Sequence, residues 1–267
     1  MRLWIFDVEH GSCACLITAA GEVVLFDCGT NTTTGFTPSQ WLRDNGYGRV
    51  DQLVISHFDA DHVADAHNLG ASLHVRSILR NTGRSARQIR GDKDARGGLP
   101  AGLDAALSLH ESYVLPMGEP LSVAISTYCN TPPAFSDQNN LSLVAILQIA
   151  GMRTVFPGDL EAAGWGQLLT NAGFRSDLNG VDFFVASHHG RRSGFTPEIF
   201  AGGLPQPHLC LISDKSVYEE NPPDYGPYAS GMHFGGQLRR VLTTRRDGSI
   251  LIELSNGQVT VWRGLTP

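Results

Sequence analysis

The six-residue segment HFDADH, residues 57–62, limits most strongly what this chain can fold into. It directly follows the predicted strand 51–56, so two histidines and two aspartates leave the end of an apolar segment together. Imidazole nitrogen and carboxylate oxygen are the ligands that zinc, iron and manganese prefer in proteins. A charged surface turn is the simpler interpretation, but it does not explain four ligand-type side chains at this place. The segment therefore predicts a metal site at a strand end.

Two later segments repeat this order of strand, ligand-type residue and glycine. Asp159 follows a predicted strand in the sequence PGDL, where a loop carboxylate can bridge two metal ions. The alternative for Asp159 is an ordinary helix N-cap. His188 and His189 follow another apolar strand, residues 181–186, and precede a glycine. Together with HFDADH, the two segments predict a cluster built from several strand ends.

Two further polar positions are predicted beside the metal site. Asp27 ends a strand in the sequence LFDCGT, and Gly29 allows a sharp turn after it. We expect Asp27 to orient the metal loop rather than to bind a metal ion itself. Asn139 and Asn140 precede a strand that would lie beside the metal.

The order of elements along the 267 residues predicts the architecture. The first strands are joined as hairpins, whereas later strands alternate with helices. This order is typical of two mixed sheets packed face to face with helices outside, the four-layer αββα sandwich of the α/β (α+β) class. Hydrophobic residues make up 42% of the chain, enough for a large core, and no repeat or linker divides it. We therefore expect a single domain over residues 1–267.

Three local predictions accompany this architecture. Residues 82–100 lack apolar periodicity and are predicted to form a long basic loop. This loop is expected either to close over the metal site or to be a solvated surface loop. Residues 160–171 are predicted as one helix, and residues 235–241 as another. The cationic residues of the predicted loop are Arg84, Arg87, Arg90, Lys93 and Arg96.

Charge and cysteine content restrict the class of protein. The formal net charge of −6 excludes a non-specific nucleic-acid coat but not a phosphodiester substrate held by local cations. The five cysteines are an odd number and lie in apolar segments, which favours buried free thiols in a reducing compartment. No apolar segment is long enough for a signal peptide or a membrane span. These features predict a cytoplasmic protein with no membrane partner.

The ordered segments LFDCGT, SHFDADH, NNLSLV, FPGDL and SHHG resemble the metallo-β-lactamase superfamily. Within it, the chain is most similar to the hydrolase domain of ComEC-type competence proteins and their stand-alone soluble relatives. The doublets NN and HH indicate this branch, and the opening LWIFDVEHGSCACLI resembles its first strand and hairpin. The resemblance covers roughly residues 3–215.

The resemblance implies a centre of two divalent metal ions, Zn²⁺ or Mn²⁺. The implied ligands are His57 and Asp59 for one ion, Asp61, His62 and His188 for the other, and Asp159 as the bridge. Asn140 stands where many members carry a histidine, so the first site would be weaker or would recruit Asn140. Asp59 also stands where a histidine is common. Both differences make the centre richer in oxygen, which favours Mn²⁺ beside Zn²⁺.

A centre of this kind implies hydrolysis by an activated water. Two cations lower the pKa of a bound water and clamp the oxygens of an in-line displacement. Asp61 is expected to orient the activated water as well as to bind metal. His189 is expected to donate a proton to the phosphoryl oxygen or the leaving group, with a supporting role behind the ligands as the alternative.

The residues after the histidine pair predict the substrate. Arg191 and Arg192 follow HHG directly, and guanidinium groups near a metal pair suit phosphate. Ser193 lies two positions beyond the serine of the family's HHGS, and Lys215 corresponds to a lysine of its tail. These four residues are the predicted substrate-binding set. Pro227 replaces a histidine of the family's tail, so the substrate pocket has diverged.

The leading hypothesis is a metal-dependent phosphodiesterase, a nuclease or nucleotide hydrolase, because ComEC-type domains are associated with degradation of a DNA strand. A hydrolase of a carbonyl substrate, such as a lactone, thioester or β-lactam, is the first alternative. The second alternative is a non-catalytic module that binds metal or nucleic acid. The retained set of ligand-type residues argues against it.

Overall fold

The computed structural model describes residues 1–95, 97–113, 121–203, 205–215, 223–255 and 257–264. Within them the strands are β1 (Arg2–Ile5), β2 (Ala14–Ile17), β3 (Val23–Phe26), β4 (Arg49–Val50), β5 (Gln52–Val54), β6 (His74–Val75), β7 (Ile78–Leu79), β8 (Ala124–Tyr128), β9 (Val144–Ile149), β10 (Met152–Phe156), β11 (Phe183–Val185), β12 (Leu209–Ile212), β13 (Met232–Phe234), β14 (Gln237–Arg239), β15 (Val241–Thr243), β16 (Ile250–Ser255) and β17 (Gln258–Arg263). The α-helices are α1 (Pro38–Asp44), α2 (Ala60–Val63), α3 (Ala66–Ser72), α4 (Ala86–Asp94), α5 (Ala101–Ser112), α6 (Ala162–Leu168), α7 (Ala172–Leu178) and α8 (Thr244–Asp247). Short 3₁₀ segments cover Ser187–Gly190, Arg192–Gly194, Pro197–Gly203 and Pro223–Tyr228.

The larger sheet has seven strands in the order β17-β16-β1-β2-β3-β5-β7. The predicted hairpin joins β16 to β17, and antiparallel pairing continues through β1, β2 and β3. Parallel pairing then joins β3 to β5 and β5 to β7. Since β1, β3 and β5 run in the same direction, their carboxyl ends lie at one edge of this sheet.

The second sheet has six strands in the order β15-β12-β11-β10-β9-β8. Strands β8, β9 and β10 pair antiparallel, whereas β10, β11, β12 and β15 pair parallel. The carboxyl ends of β10, β11 and β12 therefore also share one edge.

Alternating burial along the strands produces three apolar layers. In β3, Val23 and Leu25 pack with the helices α1, α3 and α5 on the outer face, whereas Val24 and Phe26 pack between the sheets. In β9, Val144 and Ile146 pack against helices α6 and α7 on the other outer face. Central strands such as β2, β3 and β12 are thus buried on both faces, which explains their continuous apolar sequence. The arrangement confirms the predicted four-layer αββα sandwich.

The predicted loop 82–100 is wrong over most of its length, because residues Ala86–Asp94 form helix α4. The Ser85 side chain caps this helix by accepting a hydrogen bond from the Gln88 amide, and the Ser85 amide donates in return to the Gln88 side chain, which forms a capping box. Only Ala86 and Ile89 of the helix are buried, so the sequence shows almost no apolar periodicity. Arg96 lies outside the described residues.

Two predicted helices also differ from the structure. The helix predicted for residues 160–171 is the shorter α6, Ala162–Leu168, and a helix that was not predicted, α7, begins after Asn171, which caps it at the amide of Phe174. The helix predicted for residues 235–241 is wrong. Gly235 and Gly236, with φ of 58° and 79°, turn the chain between strands β13 and β14, and β15 follows.

None of the helices in the described part of the chain has the length and apolar character needed to cross a membrane. All five cysteines are free thiols, and four of them are buried.

Close backbone packing fixes the loop HFDADH, residues 57–62, against the segments that carry Gly11 and Gly29. A Cβ on Gly29 would lie 2.5 Å from the carbonyl oxygen of Asp61, and one on Gly11 would lie 2.6 Å from the same atom. Glycine is required at both positions because these contacts are with backbone, which cannot rotate away.

We predict that Gly29→Ala lowers the free energy of unfolding by about 1–3 kcal/mol, because the added methyl displaces the Asp61 backbone. The matched control is Gly48→Ala, at an exposed glycine with nothing within 4 Å of the added Cβ, and it should change stability by less than about 0.5 kcal/mol. Urea unfolding of both variants measures the difference. Equal stability of the two variants would contradict the packing argument.

Candidate metal centre

Asp27, at the end of β3, fixes the orientation of the loop that carries HFDADH. Its carboxylate accepts hydrogen bonds from the Ser56 amide at 2.8 Å and the Ser56 hydroxyl at 2.7 Å. It also contacts Nδ1 of His62 at 2.8 Å, so that ring donates through Nδ1 and turns Nε2 towards the cluster. Asp27 thus lies where the sequence predicted an orienting carboxylate.

Asp159, after the end of β10, lies at the middle of the cluster. Its Oδ1 lies 3.1 Å from His62 Nε2, and its Oδ2 lies 3.4 Å from His189 Nε2. The same Oδ2 is 3.8 Å from His57 Nε2 and 3.7 Å from His188 Nε2. One buried carboxylate therefore faces four imidazoles, which is the position expected of a bridging ligand.

Two groups of ligand-type side chains meet around Asp159. One consists of His57, His62 and Asp159, all buried, and the other of His10, Asp61 and His189. In the second group Asp61 Oδ2 lies 3.4 Å from His189 Nε2 and 3.7 Å from His10 Nε2. The two groups adjoin, since His62 Nε2 and His189 Nε2 are 3.3 Å apart.

These residues fit divalent metal ions. Ligand atoms about 2.0–2.1 Å from a tetrahedral zinc lie about 3.3 Å from one another, close to the separations within both groups. His57 Nε2 is buried, has no hydrogen-bond partner and faces the cluster. A buried nitrogen without a partner is costly unless it binds a ligand, which a metal ion would supply.

In the turn Ser187–Gly190, the side chains of the adjacent residues His188 and His189 point to different partners. His188 and His189 both adopt left-handed backbone conformations, with φ of 50° and 55°. His189 is buried, and its Nδ1 donates to the Ser213 carbonyl at 3.2 Å, which leaves Nε2 for the cluster. His188 is less buried, and its Nδ1 is 2.9 Å from the Ser193 hydroxyl and 3.4 Å from Glu161. The geometry thus groups His189, rather than His188, with Asp61.

Charge in the cluster is balanced between carboxylates and imidazoles. Burial opposes ionisation of Asp159, but the charges of His189 and His62 hold its pKa well below the usual range. Burial lowers the pKa of His189, but Asp159 and Asp61 outweigh it and raise that pKa to about 9. Burial, reinforced by the charge of His189, lowers the pKa of His10 to about 4. Without metal, His189 therefore holds a proton at neutral pH, whereas His10 does not.

Two predicted ligands have other partners. Asp59 Oδ2 lies 3.7 Å from His57 Nε2, but Oδ1 accepts a hydrogen bond from the Lys93 ammonium. The Asn140 side-chain oxygen accepts a hydrogen bond from the Gly164 amide at 2.9 Å. The sequence placed both beside the metal, and neither belongs to the two groups around Asp159.

The predicted substrate-binding residues lie at different distances from the cluster. The Arg191 guanidinium is 3.1 Å from His10 Nε2 and 3.4 Å from His188 Nε2, directly beside it. Arg192 is exposed on the following turn, and Ser193 contacts His188. Lys215 pairs with Glu9, the neighbour of His10, at 3.1 Å.

His10 is the site residue that sequence reasoning missed. It follows β1 in the sequence EHG, and the Gly11 carbonyl accepts a hydrogen bond from the Ser213 hydroxyl at 2.8 Å across the two sheets. A histidine before a glycine after a strand is the same signal that identified His188 and His189. It stands 47 positions before His57, so only the topology places it at the cluster.

We predict that divalent metal binds more tightly as pH rises from about 7 towards 9. A proton on His189, whose pKa is about 9, competes with the metal, so each displaced proton should change the apparent affinity about tenfold per pH unit. Calorimetric titration with Mn²⁺ in buffers of different ionisation enthalpy counts the released protons. Binding that releases no proton at pH 7 would contradict this electrostatic description.

Comparison with known proteins agrees with this fold. Residues 10–113, which carry the loop HFDADH, match the family model of the metallo-beta-lactamase superfamily. No curated protein matches the sequence. Igni18, described as a novel metallo hydrolase from the archaeon Ignicoccus hospitalis, is 13% identical with a TM-score of 0.50, over 96% of this chain and 100% of that one. A mutant metallo-beta-lactamase from Cronobacter sakazakii is 15% identical with a TM-score of 0.39, over 68% of this chain and 75% of that one.

The family match covers less than half of the 267 residues, and the similarity to Igni18 concerns the fold alone. The chain therefore has the αββα fold of the metallo-β-lactamases and carries the sequence pattern of that superfamily over residues 10–113.

Proposed function

We propose that this protein is a hydrolase that uses two divalent metal ions to cleave phosphodiesters of nucleic acid or nucleotides. The position of Arg191 carries the proposal. Its guanidinium lies beside both His10 and His188, at the edge of the metal cluster. A planar cation at this place suits the non-bridging oxygens of a phosphate, because guanidinium donates two parallel hydrogen bonds to such a group.

Two divalent ions, when bound, lower the pKa of water and polarise the phosphoryl group. Asp61 supports this chemistry from within the cluster. Burial alone would raise its pKa, but the hydrogen bond from His189 and the charge of His62 hold it well below the usual range. Asp61 therefore stays ionised, so it can bind metal and accept a hydrogen bond from an attacking water.

The geometry favours an exchange of the roles predicted for the two adjacent histidines. His189 is proposed as a metal ligand with Asp61 and His10, because its Nε2 faces Asp61 and Asp159 at 3.4 Å each. His188 is proposed to contact the substrate, because it is more exposed and its Nε2 faces Arg191. Ser193 and Glu161 hold the other ring nitrogen of His188 and so fix the direction of its ring.

The finer identity of the enzyme rests on sequence resemblance. The similarity to ComEC-type hydrolase domains favours nuclease activity, and Arg191 supplies a local cation in a chain of net charge −6. Zn²⁺ and Mn²⁺ both suit a donor set of imidazoles and carboxylates. We also propose a reducing, cytoplasmic setting, which the five free thiols support.

The first test is hydrolysis of bis-p-nitrophenyl phosphate by chelator-stripped protein, resupplied separately with Zn²⁺ and Mn²⁺. We expect turnover only after metal is added, and we expect Asp61→Ala to abolish it, because the variant loses a proposed ligand. The change should exceed about a hundredfold in kcat.

Direct measurement of bound metal in the same samples distinguishes a protein that binds no metal from one that binds metal but does not cleave phosphodiesters. Two bound ions without phosphodiester turnover would refute the phosphodiesterase proposal and favour a carbonyl substrate such as a lactone or thioester. Equal turnover by Asp61→Ala would identify the activity as a contaminant.

Neighbouring arginines allow a matched test of substrate class. Arg191→Ala should reduce kcat/KM for phosphodiesters by about 10–100-fold, because a charge-assisted contact of about 1.5–3 kcal/mol is lost. Arg192→Ala, which removes an exposed neighbour of the same type, should change it less than about twofold. The kcat/KM of each variant for a lactone shows whether the loss is specific to phosphodiesters. Equal losses for both substrate classes in Arg191→Ala would show that Arg191 stabilises the site rather than contacts the phosphate.

A further inference from the structure

Helix α4 carries a lysine to one of the predicted metal ligands. We propose that Lys93 weakens metal binding on the Asp59 side of the centre, so that the two ions bind with unequal affinity and load in sequence. This inference rests on the proposed two-metal site and adds a residue that controls it.

The contact joins helix α4 to the loop HFDADH beside the metal cluster. The Lys93 ammonium donates to Asp59 Oδ1, whereas Oδ2 of the same carboxylate lies 3.7 Å from the unpartnered Nε2 of His57. The lysine side chain is 17% exposed and the aspartate 31%, so solvent screens this pair only in part. A divalent ion at Asp59 would therefore share its carboxylate with an ammonium ion.

The Asp59 side has few other anionic ligands. The Asn140 oxygen, which the sequence placed here, accepts a hydrogen bond from Gly164 instead. Asp61 faces His10 and His189 on the other side of the centre. The Asp59 side thus depends on Asp59 and on the shared carboxylate of Asp159, so a cation paired with Asp59 has a large effect there.

The position of Lys93 is fixed by the helix that carries it. The capping box of Ser85 and Gln88 fixes the first turn of α4, and Ile89 is buried beneath it. Arg90, one turn before Lys93, pairs with Asp104 of helix α5. Lys93 is therefore held over Asp59 by the packing of α4 on α5, not by an unconstrained loop.

The test is calorimetric titration of the chelator-stripped full chain with Mn²⁺ alone, with Mn²⁺ paramagnetic resonance to count bound ions. We expect the wild-type chain to bind one ion tightly and a second weakly. Lys93→Met keeps the length of the side chain but removes its charge, and it should tighten the weaker ion on the order of tenfold, the size of effect typical of groups behind metal ligands. The tighter ion should change little.

Two controls separate charge from structure. Lys93→Arg retains the cation and should bind Mn²⁺ as the wild type does. Arg87→Met removes an exposed cation of the same helix and should also leave both affinities unchanged. Thermal unfolding confirms that each variant is folded. An unchanged weaker affinity in folded Lys93→Met, or two equal affinities in the wild type, would overturn the role of Lys93.

The binding experiment contains no substrate, so its outcomes are independent of turnover. A chain that binds two ions but cleaves no phosphodiester refutes the proposed substrate and still decides the role of Lys93. A wild-type chain that binds no metal overturns both proposals.

Discussion

The buried carboxylate of Asp27 is the contact on which the candidate centre depends. It joins the end of β3 to the following loop through the amide and hydroxyl of Ser56, and it holds the ring of His62. A buried carboxylate without such donors would destabilise the fold, so the hydrogen bonds stabilise the charge and the charge fixes the loop. Asp159 and Asp27 together raise the pKa of His62 well above its usual value, although burial opposes this. Fold and site are thus connected through one side chain.

The two sheets contribute the rest of the centre through the ends of their parallel strands. The backbone of Asp61 packs against Gly11 and Gly29 of the first sheet, and the His188 amide donates to the Gly158 carbonyl of the second at 3.1 Å. The loops that carry the proposed ligands are therefore held by backbone contacts, and buried side chains such as Asp27 fix the direction of the rings. This rigidity suits a metal centre, because its ligands must converge within a few ångströms before the ions bind.

The parts that the sequence predicted are those whose determinants are local. Apolar strands followed directly by His57 or Asp159 predicted the cluster, because parallel strand ends meet at one edge of a sheet. His10 needed the order of strands, which no local pattern contains. Which histidine of the pair faces Asp61 depends on the left-handed backbone conformations of His188 and His189, which no sequence pattern predicted. Helix α4 buries only two side chains, Ala86 and Ile89, so its sequence resembled a loop and the reach of Lys93 was not foreseen.

The placement of cations around the centre supports the anionic substrate that we propose for this acidic chain. Arg84 pairs with Asp92 and Arg90 with Asp104, so these two cations of the basic segment 82–100 are neutralised by their partners. Lys93 is directed to Asp59, on the metal side of the loop. Arg191 lies beside His10 and His188, and burial lowers the pKa values of both imidazoles. A guanidinium at this place suits the phosphate group of the proposed substrate. In the two proposals made above, Arg191 selects the substrate beside the cluster, whereas Lys93 on the other side adjusts how the metal ions load.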